Sequence, residues 1–183
     1  MAFVILTMVG PDRPGIVRAA AAHVAAHGGS WLESRMARLA GQFVGIVRLD
    51  VPDRAAVASL GEALGALRAD GIATVLMEGG AEAQPRAEPA THATVSLVGQ
   101  DRPGIVRDLT ATLAGLRVNI EELATRVESG SFSGEAMFHA EAQLRLPAPV
   151  SIADLREALE TLGNEFMVDM QEGPGAAPGT PAP

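Results

Sequence analysis

Two stretches of this chain carry nearly the same text. Val9-Gly10-Pro11-Asp12-Arg13-Pro14-Gly15-Ile16-Val17-Arg18 returns 89 residues later as Val98-Gly99-Gln100-Asp101-Arg102-Pro103-Gly104-Ile105-Val106-Arg107, and only Pro11 against Gln100 differs. A fixed offset of this size makes a duplicated folding unit the governing expectation. In a chain of 183 residues it selects two units of roughly 80 residues each, at the small end of the domain range. Cores of that size are modest, so the halves are expected to cover apolar surface against each other or against a second chain.

Each copy follows the same order of local signals. Phe3 to Val9 is an apolar, branched run of strand length that suits a central strand covered on at least one face. Ile16, Val17, Ala20 and Val24 then keep helical spacing up to Gly28-Gly29, with Pro14 in the first turn. Trp31 to Leu39 and Phe43 to Val51 read as an antiparallel hairpin around Ala40-Gly41-Gln42. Val57, Leu60, Leu64 and Leu67 form a second helical stripe between Pro52-Asp53 and Asp70-Gly71, and Ile72 to Met77 closes the unit as a strand.

The second copy offers strand 93–98, a helix with Ile105, Leu109, Leu113 and Leu116 on one face, and strands 119–127 and 135–146 joined by a longer loop at 129–134. A helix carrying Ile152, Leu155, Leu159 and Leu162 and a strand from Phe166 to Met170 complete it. The order βαββαβ, twice, is the split-βαβ pattern. The expected fold is therefore α+β: two tandem ferredoxin-like units at 1–78 and 91–171, each an antiparallel sheet with helices on one face. A Gly/Pro-bearing linker at 79–90 and a disordered tail at 172–183 complete the organisation.

Charge and composition exclude several classes. A net charge of −8 with no basic run, no tyrosine and 3% aromatics offers neither a phosphate-binding surface nor base-stacking platforms, so direct nucleic-acid binding is not expected. The absence of cysteine removes thiolate chemistry and fits the cytoplasm. Met1 to Leu6 is apolar but reaches Gly10-Pro11 too early to span a membrane, so no membrane partner is expected.

The repeated Asp-Arg-Pro-Gly lies between a strand and a helix start, where unpaired backbone N–H groups favour a negative group. Gly15 and Gly104 let a small ligand approach the backbone. Asp12 or Asp101 could accept hydrogen bonds from an ammonium group, or could simply cap the helix. Arg13 and Arg102 could pair with carboxylates across a domain interface or remain solvated. Asn119 opens the neighbouring strand of copy two with an amide donor and acceptor, where copy one has the shorter Ser30; copy two is the better equipped on this reading. His23 and His27 are four apart on a helix but lack a third ligand, so no metal is expected, and His92 and His139 read as isolated sheet residues. Glu121 and Glu122 should point to opposite faces of a regular strand. No nucleophile elbow or phosphate loop occurs, so no catalytic residue and no cofactor are assigned.

A strand followed by Val-Gly-x-Asp-Arg-Pro-Gly-Ile-Val, a helix, and then Asn119-Ile120-Glu121-Glu122 on a strand resembles the ACT domain, a small-molecule-sensing module of ferredoxin-like fold. Both copies match. Two such domains alone, with the segment Gly29 to Phe43 in copy one, are similar to the glycine cleavage system transcriptional repressor family. The resemblance implies binding of a small amino acid, with glycine the leading candidate, and restraint of a separate DNA-binding transcriptional regulator by protein contact. Carried over, the ligand positions are Gly99, Asp101, Gly104, Ile105 and Asn119, with Gly10, Asp12, Gly15, Ile16 and Ser30 as the copy-one set. A homo-oligomer is expected. The competing readings are a ligand-independent oligomerisation module and a regulatory subunit of an amino-acid metabolic enzyme.

Overall fold

The structure, a computed structural model, describes residues 2–79, 90–129, 135–161 and 166–173. These fall into two compact units, residues 2–79 and 90–173. Unit one runs β1 (Ala2–Pro11), α1 (Ile16–Ala26), β2 (Ser30–Leu39), β3 (Gln42–Val51), α2 (Arg54–Gly65), a 3-10 turn (Ala66–Asp70) and β4 (Ala73–Glu78). Unit two runs β5 (Ala90–Gln100), α3 (Ile105–Gly115), β6 (Asn119–Ser129), β7 (Ala136–Pro147), α4 (Ile152–Glu160) and β8 (Phe166–Gly173).

The sheets have the orders β2-β3-β1-β4 and β6-β7-β5-β8, antiparallel throughout. The expected pair of ferredoxin-like βαββαβ units is what the chain forms. In unit one Val4, Leu6 and Met8 of β1 and Val47, Leu49 and Val51 of β3 share a core with Ile16, Ala20 and Val24 of α1 and Leu60 and Leu64 of α2. Strand side chains alternate between faces, so both helices cover the same face of the sheet. Unit two repeats the arrangement: Ala93, Val95 and Leu97 pack with Leu109 and Leu113 of α3 and Leu155 and Leu159 of α4.

Local chemistry accounts for the element ends. Leu39 pairs with Gln42 across a two-residue turn in which Ala40 (φ 49°) and Gly41 (φ 77°) are both left-handed, the twist-matched hairpin geometry. Asp53 caps α2 by accepting from the Ala56 N–H at 2.8 Å. Ser151 and Asp154 form a reciprocal capping box on α4, and the Ser151 hydroxyl that donates to Asp154 holds that carboxyl below its ordinary range. Helices α1 and α3 are different. Their N-caps are Gly15 and Gly104 in the left-handed region, at φ 96° and 85°, with no side-chain cap. Pro14 therefore sits in the turn ahead of the helix and not in its first turn, because the left-handed residue after it cannot be helical.

One feature repeats that alternation alone does not reveal. The register slips between Trp31 and Glu33 on β2 and between Ile120 and Glu122 on β6, so Leu32 and Glu121 are the extra residues of a β-bulge at equivalent positions. Glu172 and Gly173, expected in the tail, instead extend β8, pairing with Ala93 and His92 because β5 begins at Ala90. Residues 80–89 of the expected linker, the loop at 130–134 with Ser131 and Ser133, Leu162 of the α4 stripe, and residues 174–183 of the expected tail lie outside the described residues.

Candidate functional site

The Asp-Arg-Pro-Gly loop leaves the end of the first strand and enters the first helix in both units. Its strand end is anchored by the backbone: Asp12 N–H donates to the Gly41 carbonyl at 2.9 Å and Asp101 N–H to the Ala136 carbonyl at 2.8 Å. Gly10 belongs to the fold itself. A Cβ there would stand 2.5 Å from the Gly71 carbonyl oxygen and 2.6 Å from Ile72 Cδ1. At Gly15 nothing lies within 4 Å of a Cβ, so the backbone at the helix start faces open space. Ile16 and Ile105 turn inward and are buried.

The two aspartates differ in their surroundings. Asp12 Oδ2 accepts from Arg38 Nε at 2.9 Å. The residue equivalent to Arg38 in unit two is Val127, since each pairs with the corresponding phenylalanine, Phe43 or Phe138. Among the described residues, the exposed Asp101 carboxylate forms no ion pair or side-chain hydrogen bond. Neither aspartate caps its helix; the left-handed glycine takes that position.

The arginines reverse this pattern. Arg13 Nη2 lies 3.2 Å from Asp70 Oδ1, and Arg102 Nη1 lies 2.7 Å from Asp108 Oδ2. Both pair inside their own unit, where the sequence suggested an interface partner or solvent. Asp108 also takes Arg107 at 2.9 Å, and the hydrogen bond from Arg102, followed by that from Arg107, holds its carboxyl below the ordinary aspartate range. The corresponding residue in unit one is Ala19. There the space is a cleft of about 190 Å³ lined by Arg13, Gly15, Ile16, Arg18, Ala19 and Asp70, among others. Arg18 forms no ion pair among the described residues. It lies within the repeated motif, and its recurrence as Arg107 in the second copy is the sequence signal that marks it.

The structure does not bring all the expected ligand residues together. Asn119 is in register with Arg145, and Arg145 with His92, near the start of β5. Asp101 follows Gln100 at the other end of that strand, nine residues on from His92, about 30 Å at 3.3 Å per residue. Gly99, Asp101, Gly104 and Ile105 therefore group at one end of unit two and Asn119 stands at the other. Ser30 is separated in the same way from Gly10, Asp12, Gly15 and Ile16, being in register with Asp50 and Phe3.

Around Asn119 the bulge builds a polar cluster. Glu121 Oε2 lies 3.3 Å from His92 Nδ1 and Glu121 Oε1 3.4 Å from Arg145 Nε. His92 is thus not an isolated sheet residue, and neither is His139, whose Nε2 is 3.6 Å from Glu128 Oε2. Glu121 departs from regular alternation because it is the inserted residue. The equivalent positions in unit one are Phe3, Leu32 and Asp50, so the cluster has no counterpart there. His27 Nδ1 contacts the His23 carbonyl oxygen at 2.8 Å, a helix-end contact and not an imidazole pair. Among the described residues no group of three His, Cys, Asp or Glu could hold a metal ion, and no helix is long and apolar enough to cross a membrane.

A family model described as ACT domain matches residues 2–75 and 91–171. A glycine cleavage system transcriptional repressor from Escherichia coli is 26% identical over 164 residues, 90% of this chain and 85% of that protein. A UPF0237 protein from Methanopyrus kandleri is 35% identical over 80 residues, 44% of this chain and 83% of its own length. The solved structure of an unknown protein from Galdieria sulphuraria, 24% identical, shares the fold over 94% of this chain and 98% of its own, with a TM-score of 0.74.

Proposed function

The chain belongs to the ACT domain family, and from that premise we propose that it is a non-enzymatic, amino-acid-responsive regulator, with glycine the leading ligand, that modulates transcription by contacting a separate DNA-binding protein. One observation carries the ligand reading. The loop that opens the first helix is repeated, and in each unit by itself it carries one charged group with no ion pair among the described residues: Arg18 beside the cleft in unit one, suited to a ligand carboxylate, and Asp101 in unit two, suited to a ligand ammonium. A carboxylate at the start of α1 meets unpaired backbone N–H groups and the Arg18 guanidinium together. An ammonium group at Asp101 gains a charge-assisted hydrogen bond without displacing an existing partner.

The cleft volume of about 190 Å³ falls below the roughly 300–1,000 Å³ that drug-sized ligands occupy, which favours a ligand as small as glycine. The regulatory part of the reading draws on the repressor relative, which spans 90% of this chain.

A thermal-shift screen of the twenty amino acids on the full chain tests the ligand reading, since a ligand that binds only the folded state raises the midpoint by mass action. The expected result is a shift with glycine that shrinks in Arg18→Ala and in Asp101→Ala. An unchanged shift in both variants sinks the site assignment. No shift with any amino acid at millimolar concentration leaves the ligand-independent module as the reading. Capture of a DNA-binding regulator from native extract, with and without glycine, tests the partner.

A further inference from the structure

The two copies of the Asp-Arg-Pro-Gly loop share a backbone and a pair of arginines, but only unit two adds a carboxylate to the helical turn that follows. Gly15 and Gly104 open their helices at φ 96°, ψ −4° and at φ 85°, ψ 2°. Four residues on, the Ala19 N–H donates to the Gly15 carbonyl at 2.9 Å and the Asp108 N–H to the Gly104 carbonyl at 3.0 Å. Ala19 and Asp108 therefore occupy the same place on the first turn. In unit two both arginines converge on it. Arg102 Nη1 donates to Asp108 Oδ2 at 2.7 Å, while Arg107 Nε and Nη2 lie 3.0 Å and 2.9 Å from Oδ1, so each carboxylate oxygen is held by a different guanidinium. Arg107 is drawn across the helix start as it does so, its Nη2 standing 3.2 Å from where a Cβ of Gly104 would lie. In unit one Ala19 offers no acceptor, and nothing lies within 4 Å of the same point on Gly15. The equivalent arginines, Arg13 and Arg18, line the cleft of about 190 Å³ together with Gly15 and Ala19.

We propose that the unit-one cleft takes the carboxylate of a small ligand between Arg13 and Arg18, in the place that the Asp108 side chain fills in unit two, and that this aspartate closes unit two to such a ligand at the same loop. Unit two supplies the template. The same two arginines, on the same backbone, each bind one oxygen of a carboxylate at the first turn of a helix, where the unpaired N–H groups also favour negative charge. Arg18 has no ion pair among the described residues to give up. Arg13 is held by Asp70 at 3.2 Å in a pair whose side chains are 46% and 54% exposed, a solvent-screened contact that a ligand carboxylate can share or displace. In unit two the occupant is part of the chain, so it competes at a high effective concentration that a free ligand would have to exceed. The duplicated loop therefore gives one carboxylate site per chain, and the residue that decides which unit holds it is the alanine or aspartate at this turn. The proposal rests on reading the loop as a ligand site, but it depends neither on glycine as the ligand nor on Asp101.

Arginine side-chain Nε–Hε resonances, followed by NMR in the full chain during titration with glycine, acetate and glycinamide, test it. Glycine and acetate carry a carboxylate and are expected to shift Arg13 and Arg18 while leaving Arg102 and Arg107 in place; glycinamide lacks one and should shift none of the four. Ala19→Asp builds the unit-two arrangement into unit one and should weaken acetate binding there at least about tenfold. Asp108→Ala should make Arg102 and Arg107 respond as well, raising the acetate bound per chain from one to two. Far-UV circular dichroism checks that both variants fold. Acetate that shifts Arg13 and Arg18 while glycine does not supports the site and removes glycine as its ligand. A thermal shift with glycine while Arg13 and Arg18 stay unmoved overturns the proposal and leaves the amino-acid-responsive reading standing. An equal response of all four arginines in wild type, no response to either carboxylate, or undiminished binding in Ala19→Asp also overturns it.

Discussion

Units one and two share a backbone down to the extra residue in the second strand, yet they spend their charged side chains differently. In unit one Asp12 is held by Arg38 and Arg18 is left beside an open cleft. In unit two Arg102 and Arg107 converge on Asp108, and Asp101 has no side-chain partner among the described residues. The outer sheet face diverges as well, with Ile5, Val44 and Ile46 in the first unit standing where the second has Thr94, His139 and Glu141. The core is what duplication preserved, because it is set by which residues meet across the helices and the sheet. The loops and the outer face needed only to remain compatible with that core, so single substitutions such as Ala19 against Asp108 redirected them.

The largest effect expected is in the shared core. Leu60 and Leu155 are equivalent and fully buried, so Leu60→Ala and Leu155→Ala should each cost about 2–5 kcal/mol by chemical denaturation. A cost in one unit several times that in the other would break the equivalence. Smaller effects separate the glycines. Gly10→Ala forces a Cβ against the Gly71 carbonyl and should cost about 1–3 kcal/mol by overpacking. Gly15→Ala meets only the left-handed backbone penalty, about 1 kcal/mol, and Gly104→Ala adds a 3.2 Å approach to the flexible Arg107 guanidinium. Equal losses at Gly10 and Gly15 would mean that the loop is packed and not open.

The smallest effect is a pH dependence contributed by Asp108 and Asp154 of unit two. Asp108 has a folded pKa lowered by Arg102 and then Arg107, so its stabilisation is present above the ordinary aspartate value and is lost as pH falls through the lowered one. Asp154, lowered by Ser151, acts in the same sense. Stability should therefore decline on acidification below about pH 4, and Asp108→Asn should flatten part of that slope. Ala19→Asp in unit one, if it draws Arg13 away from Asp70, should introduce a similar slope there; an unaltered profile in both variants contradicts the ion-pair assignment.

Most of the architecture was legible in the sequence because it rests on short-range signals: helical stripes such as Leu60 and Leu64, the Asp53 cap, and the turn at Ala40-Gly41. The site was legible only in part. The repeated loop and its glycines stood out, but the partners of Asp12, Arg13 and Arg102 depend on residues brought near by strand register and helix packing. The bulge at Leu32 and Glu121 was hidden for the same reason. A one-residue insertion leaves no mark on composition, and it placed Glu121 against His92 and Arg145 where simple alternation treats its neighbour Glu122 as facing the other way. The separation of Asn119 from Asp101 follows from strand direction, which no local motif carries.

The most direct test of the ligand-binding account is calorimetric titration of glycine into the full-length wild type and into Val127→Arg, which gives Asp101 the partner that Arg38 gives Asp12. The account predicts a saturable isotherm for wild type and binding at least about tenfold weaker in the variant, the loss of one charge-assisted hydrogen bond. Superimposable isotherms, or no heat from the wild type, would contradict it.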